Sequence, residues 1–181
     1  MCHKKALKKL QQYSGGTKEG VMKSLTVCVS ISNGNTRRVA DRLAEVLNAE
    51  VVEPEAVDLA ALGEYDLVGF GSGIYFNAVH SRLRRLIHRL PHVDGGRAFT
   101  FFTSGGPEVP LVGYSRPIRR QLASTGFEVL DSFSCRGLDT VGPLRFIGGV
   151  NKGRPNERDL DRAAAFALRL RERVTRSKSA S

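Results

Sequence analysis

Residues 25–43, LTVCVSISNGNTRRVADRL, decide how this chain is read. Leu25, Thr26, Val27, Cys28 and Val29 suit a buried strand, and they run directly into a small polar loop, Ser30-Ile31-Ser32-Asn33-Gly34-Asn35-Thr36. A helical pattern follows, with Val39, Ala40 and Leu43 on one face. A strand, a tight loop and a helix in that order aim several backbone N–H groups at one point. The first N–H groups of a helix have no internal acceptor, and the helix dipole adds about half a positive charge there, so the point suits a phosphate. Ser32, Asn33, Asn35 and Thr36 can add side-chain donors, while Gly34 permits the positive φ that brings the backbone close. The plainer reading of the same residues is that Ser, Thr and Asn simply cap the helix.

Other loops of related purpose do not fit. A P-loop requires G-x-x-x-x-G-K-[ST] and a dinucleotide fold G-x-G-x-x-G, and neither spacing occurs after this strand. A receiver domain of the response-regulator type needs acidic residues at the ends of its first and third strands, where this chain has Ser30 and Gly71-Ser72.

Working outward, residues 50–53 read as a second strand, 57–62 as a helical turn and 66–71 as a third strand. Residues 79–90 repeat an apolar face through Val79, Leu83, Leu86, Ile87 and Leu90, with Arg82, Arg84, Arg85 and Arg89 outside, and stop at Pro91. Residues 97–103 are nearly all apolar or aromatic, as strands buried on both faces are. A helix is expected over 117–124, opening on Pro117, then a fifth strand over 127–135. A long Gly/Pro-bearing connection over 136–155 leads to a last helix from 157 to about 174. Strands alternating with helices predict an α/β fold of three layers, with a five-stranded parallel sheet in the order 2-1-3-4-5 and right-handed crossovers. Ligands bind outside the carboxyl ends of such strands, so loops 30–36, 72–80 and 103–112 are expected to meet. Residues 24–175 would form the domain, 1–23 a flexible basic extension jointed at Ser14-Gly15-Gly16, and 176–181 a disordered tail.

Ser32-Asn33-Gly34-Asn35-Thr36, followed by Ala40 and Leu43, resembles the flavodoxin phosphate loop, usually T/S-x-T-G-x-T with an alanine and a leucine further along the helix. Asn33 stands where the family has a threonine, and Val29 where it has an aromatic. GFGSGIYFNAVHSRLRRLIHRLP and FSCRGLDTVGPLRFIGGVNKGRPNE are similar to a subgroup of flavodoxin-like proteins of archaea and bacteria, so the resemblance covers most of residues 24–172. It implies a flavodoxin-like fold with FMN as cofactor. By that resemblance Ser30, Ser32, Asn33, Gly34, Asn35 and Thr36 would surround the phosphate. Ser72, Gly73, Ile74, Tyr75 and Phe76 would lie against the ring, and Thr103, Ser104, Gly105 and Gly106 would contact its pyrimidine side. Tyr75 or Phe76 can cover a ring face, with Tyr114 the weaker candidate for the second, because the chain has no tryptophan. His80 either donates to a flavin oxygen or substrate carbonyl or is a surface residue.

The implied function is electron transfer, as a carrier or as a small NAD(P)H/quinone-type reductase. Its partners would be a redox protein or a small-molecule acceptor, with a homodimer as one possible state. The alternative is a flavodoxin-fold binding or regulatory module that holds no flavin. Family members lower the flavin potential with apolar and acidic surroundings; here Glu108 is the one carboxylate in the three loops, with His80, Arg82 and Arg116 at their edges. A less negative potential is therefore expected.

Charge and cysteines bound the rest. The 181 residues carry a net charge of +10. Residues 1–23 hold six lysines against Glu19, and residues 151–181 hold nine Lys/Arg against four acids, so the excess sits at the ends. Nucleic-acid binding is not expected, since a binding face would place basic residues among aromatics on the folded part. The usual acidity of carrier flavodoxins is absent, which puts their usual partners in doubt. No apolar run is long enough to span a bilayer, and MCHKKALKKLQQYSGGTKEG lacks the apolar region of a secretion signal, so no membrane association and a cytoplasmic location are expected. Cys2, Cys28 and Cys135 form no C-x-x-C and no zinc pattern with the four histidines, and Cys135 reads as a buried small hydrophobe.

Overall fold

The computed structural model describes residues 22–75, 78–106, 113–138 and 151–179. Strand β1 (Ser24–Val29) is buried along its whole length. It sends Leu25, Val27 and Val29 into one core and Cys28 into the other. Alternation hidden inside a uniformly apolar run is what two covered faces require. The chain continues through α1 (Asn35–Leu47), β2 (Ala49–Val52), β3 (Leu67–Tyr75), β4 (Ala78–Val79), α2 (Ser81–His88), β5 (Arg97–Ser104), α3 (Ser115–Ser124), β6 (Glu128–Arg136) and α4 (Glu157–Lys178).

The sheet runs β2-β1-β3-β5-β6, parallel throughout, with β4 folded back antiparallel on the end of β3. With the two-residue β4 set aside, this is the expected order 2-1-3-4-5. Helices α1 and α4 cover one face and α2 and α3 the other. Each pair docks with an apolar stripe: Val39, Ala40, Leu43 and Leu47 on α1, for example, against Ala163, Ala167 and Leu170 on α4.

On the α1/α4 face, β3 and β5 fit ring to gap. Gly69 and Gly71 lie in register with Phe99 and Phe101. A Cβ at Gly71 would stand 2.0 Å from the Phe101 ring, and one at Gly69 2.3 Å from Phe99. The two rings occupy the space that side chains on β3 would otherwise take.

Local details depart from the sequence reading. Residues 57–62 do not form the expected helical turn; two 3₁₀ turns, Pro54–Ala56 and Leu62–Glu64, lie on either side of residues 57–61 instead. Between these the Asp58 carboxylate accepts from the Ala60 N–H at 3.0 Å, a local bond that competes with helix. β3 does not stop at Gly71 but runs to Tyr75, because β4 pairs Val79 with Ile74 and Ala78 with Tyr75. Val79 therefore belongs to a hairpin, and α2 begins two residues later. α3 opens at Ser115, ahead of Pro117.

The chain ends also differ. α4 continues to Lys178, so residues 176–178 are helical rather than part of a tail; Lys178 Nζ stands 2.6 Å from Asp66. Met22 packs on the α1/α4 core, and the Lys23 backbone N–H donates to Asp66 at 2.8 Å, so the fold begins before residue 24. The extension 1–21 lies outside the described residues. Among the described residues, no helix is long and apolar enough to cross a membrane.

Candidate functional site

The carboxyl ends of β1, β3 and β5 open onto one cleft at the switch point of the sheet. Ser32, Asn35 and Thr36 line it from the first loop, Gly73, Ile74 and Tyr75 from the end of β3, and Thr103, Ser104 and Gly105 from the end of β5. Gly137 and Leu138, which sequence reading did not single out, close it from beyond β6. The cleft is half open, with a cavity volume of about 30 Å³, so a ligand larger than a small anion extends along its open rim.

The start of α1 is open. Asn33 (φ 55) and Gly34 (φ 65) both adopt left-handed backbone, which turns the chain sharply out of β1. The first helical bond runs from the Arg38 N–H to the Gly34 carbonyl at 3.0 Å, and no side chain caps the helix. The amides of residues 35–37 are left with no acceptor inside the helix, the condition that favours an anion. Nearby, the buried Ser30 hydroxyl has no partner among the described residues.

Of the side chains expected to serve as donors, Ser32 lines the cleft, whereas Asn33, Asn35 and Thr36 are used inward. Asn35 is 8% exposed and its Nδ2 donates to the Leu138 carbonyl at 2.7 Å; Asn33 donates to the same oxygen at 3.3 Å. Thr36 is 2% exposed with its Oγ1 2.8 Å from Thr103 Oγ1. These bonds tie the first loop to β5 and to the segment after β6, and they leave the backbone amides and the Ser32 hydroxyl as the donors on offer. Asn33, Gly34, Ser30 and Gly106 shape the loops without lining the cleft.

The other loops are also pinned. Ser72 lies inside β3, fully buried, where its hydroxyl donates to the Gly73 carbonyl at 2.6 Å and accepts from the His80 N–H at 3.1 Å; it is a strand residue rather than a ring contact. Tyr75 meets the His80 ring edge-on, with centroids 5.6 Å apart. His80 Nδ1 accepts from the Arg82 N–H at 3.2 Å and caps α2, which leaves the proton of the neutral ring on Nε2. Burial first, then the charges of Arg82 and Arg85, push the His80 pKa below its ordinary value. Tyr114 is not placed to cover a ring: it is 9% exposed and packs edge-on against Phe102 at 5.3 Å. Phe76 and Glu108 lie outside the described residues.

The loop after β5 is held from behind. The Gly105 carbonyl accepts from Arg136 Nη1 and from Asn151 Nδ2, each at 2.8 Å, while the Ser104 hydroxyl donates to the Gly106 carbonyl. Arg82, expected at the edge of the loops, is clamped by Glu53 at 2.6 Å and by Glu55. Sequence reading missed Arg136 and Asn151 because a bond to a distant carbonyl leaves no local pattern.

Residues 26–109 match the flavodoxin domain family. A protein of Methanocaldococcus jannaschii is 37% identical over 146 residues, covering 81% of this chain and 96% of that protein. The chain belongs to the flavodoxin-like family. Solved flavodoxins share the fold: one from Streptococcus pneumoniae matches with a TM-score of 0.64 at 19% identity, over 83% of this chain and 98% of that one. One from the domain Archaea gives 0.61 at 18% identity, over 85% and 99%. A WrbA-like flavodoxin from Agrobacterium tumefaciens gives 0.63 at 13% identity, over 85% and 98%.

Flavodoxins generally bind FMN, and the cleft of this flavodoxin-like protein fits that group at its phosphate end. The uncapped start of α1 and, beside the cleft, the Ser30 hydroxyl with no partner among the described residues are polar features without an internal use. Along the rim, Gly73 and the β5 loop offer backbone and Tyr75 an aromatic ring. Among the described residues no three His, Cys, Asp or Glu side chains could hold a metal ion together. Cys28 and Cys135 are buried, and burial pushes each thiol up to about 12, so neither is a nucleophile at neutral pH.

Proposed function

We propose that this protein binds FMN and transfers electrons. The observation that carries the reading is the uncapped start of α1, facing the junction of three loops at the β1/β3 switch point. Amides 35–37 would hold the phosphate. Thr36–Thr103 and Asn35–Leu138 would keep those amides in place, and Gly73, Tyr75 and Gly105 would border the ring. When bound, FMN supplies one- and two-electron transfer, and the protein sets its position and potential.

Among the described residues no carboxylate lines the cleft, and the Arg136 guanidinium sits behind Gly105. The tightly paired Arg82 adds little, so Arg136 and the acid-free lining among the described residues carry the expectation of a potential less negative than an acidic carrier's. Redox titration of the complex tests it, and a strongly negative final couple would refute it.

The cheapest test of the whole reading is a spectrum of the purified protein, followed by titration with FMN and with riboflavin. FMN should bind and shift the flavin bands, and riboflavin, lacking the phosphate, should bind far more weakly. Equal affinity would remove the phosphate site from the argument. A second reading, a binding module without flavin, draws on the inward use of Asn35 and Thr36 and the small cavity volume; a colourless protein that ignores added FMN would favour it. Once FMN binding is established, oxidation of NAD(P)H with a quinone present distinguishes a reductase from a carrier.

A further inference from the structure

The neutral balance of the middle of the chain conceals a segregated charge. Helix α2 and its C-terminal cap carry Arg82, Arg84, Arg85 and Arg89, α3 carries Arg116, Arg119 and Arg120, and neither helix contains an acid. The two helices are neighbours on the same face of the sheet. Arg82 is neutralised by Glu53 and Glu55. The other six guanidiniums are exposed, and among the described residues none forms an ion pair with a carboxylate. On the opposite face, α1 and α4 interleave their cations with Asp41, Glu45, Glu157, Asp159, Asp161 and Glu172.

We infer that the α2/α3 face is a docking surface for an acidic protein. Arg116, Arg119 and Arg120 are like charges at helical spacings of three and four, which destabilises an isolated helix. An approaching carboxylate-rich surface relieves that repulsion and is steered by it. Arg116, Arg119 and Arg120 also border an open depression of about 610 Å³ with Ala123 and Val129, so the charges surround a concavity rather than a convex ridge. Both helices begin at the cleft end of the sheet, α2 straight after the β4 hairpin on the rim, so a partner seated here would lie beside the site.

The chemistry of the face favours protein over other polyanions. Among the described residues it exposes no Phe, Tyr or Trp ring on which bases could stack, His88 being the exposed aromatic of α2, and the exposed large apolar side chain of the described surface, Ile31, lies in the loop before α1, so nothing described on these helices would enter a lipid layer. Guanidinium forks on rigid helices match carboxylates two bonds at a time. The surface does not depend on whether the cleft holds a flavin.

The test compares two variants of equal charge change in the full chain: R84E/R85E/R119E/R120E on this face and R38E/R158E/R169E/R176E on the other, each checked for native fold by circular dichroism. The probes are a polyglutamate peptide, single-stranded polyuridylate and phosphatidylserine vesicles. Polyglutamate should bind the wild-type chain in a salt-dependent way, weaken roughly tenfold or more in the first variant and change less than about twofold in the second. Arg→Gln replacements at the same four positions of α2 and α3 should give an intermediate loss. Equal losses on the two faces, no binding of polyglutamate, or tighter binding of polyuridylate or vesicles through the same four arginines would overturn the inference. FMN affinity, measured in parallel, should be unchanged in the variant of the α2/α3 face, none of whose four positions lines the cleft.

Discussion

The two faces of the sheet are filled by different means. Against α2 and α3, β3 presents Val68 and Phe70, and β1 presents Leu25, Val27 and Val29, an ordinary apolar layer that helices can settle on in more than one way. Against α1 and α4, β3 presents glycine at positions 69 and 71, and the Phe99 and Phe101 rings of β5 lie over them. The first face tolerates exchange of similar volumes; the second fixes one register of β3 on β5. It is the fixed face that carries the open start of α1, and the tolerant face that carries the arginine surface. A site that must hold amides in place to a fraction of an ångström is thus built on the half of the fold with the least freedom.

That contrast is broken most directly at Gly71. Gly71→Ala would put its Cβ 2.0 Å from the Phe101 ring, so the ring or the strand must move, and a loss of about 3 kcal/mol is expected from urea unfolding. Gly71→Ala/Phe101→Leu should recover part of that loss, giving a favourable coupling energy in the double-mutant cycle. On the other face Phe70→Leu should cost about 1 kcal/mol, because its surroundings can close on the smaller side chain. Similar losses for Gly71→Ala and for Gly63→Ala, where nothing stands within 4 Å of an added Cβ, would show that no ring-to-gap fit exists.

The sequence made much of this legible, and the limit of legibility has a physical form. The runs LTVCV and RAFTFFT carry no visible alternation, so burial on both faces could be read from them and the strand order followed from topology. The complementarity of Gly69 and Gly71 with Phe99 and Phe101 depends on register, which only the folded sheet supplies. The same division runs through the site. SNGNT before an apolar helix marked the open start of α1, because the signal is local. That Asn35 turns to the Leu138 carbonyl, Thr36 to Thr103 and Arg136 to the Gly105 carbonyl could not be read, since each bond joins residues tens of positions apart and backbone oxygens look alike in any sequence. Tyr114 shows the converse: an aromatic in a loop-like stretch makes a weaker candidate for the second ring face, and Phe102 takes it into the core.

The thiols sharpen the comparison because both belong to the fixed face. Cys28 and Cys135 are raised from an ordinary 9.0 to about 12, burial being the first cause in each. An acid whose folded pKa is raised stabilises the fold below its unfolded value. Here the contribution is complete below pH 9 and is lost as pH climbs towards 12, at up to about 1.4 kcal/mol per pH unit for each thiol. Unfolding midpoints followed from pH 8 to 11 should fall, and Cys28→Ala and Cys135→Ala should each flatten the slope. Native protein at pH 8 should leave both residues unalkylated by iodoacetamide in peptide maps. Rapid native labelling of either would mean that the α1/α4 face opens readily and is not the rigid half.

Gly34 tests the site on that face at a smaller cost. Its φ of 65 is left-handed and nothing stands within 4 Å of a Cβ there, so Gly34→Ala introduces strain alone, about 1 kcal/mol. Gly34→Asp, in a residue type that tolerates this backbone, should be no more destabilising, yet it sets a carboxylate beside amides 35–37. FMN affinity should drop by roughly tenfold or more in Gly34→Asp and clearly less in Gly34→Ala. Equal losses would mean that the turn, rather than the positive end of α1, governs binding.

The smallest effect belongs to the tolerant face and concerns Arg82. Its bonds to Glu53 and Glu55 join the start of α2 to the segment after β2, and the Arg82 hydrogen bond, the first cause, lowers Glu55 to about 2. A carboxylate with a depressed folded pKa stabilises above its unfolded value, near 4.5, and loses that contribution as pH falls towards 2. Both carboxylates are largely exposed, so solvent screening keeps the contribution small. Stability measured between pH 5 and 3 should decline slightly less steeply in Glu55→Gln than in the wild-type chain, and added salt should shrink that difference further. A difference that persists in high salt would mean that the pair is shielded from solvent, and that the α2/α3 face is held by a directed polar contact after all, as closely specified as the ring-to-gap packing across the sheet.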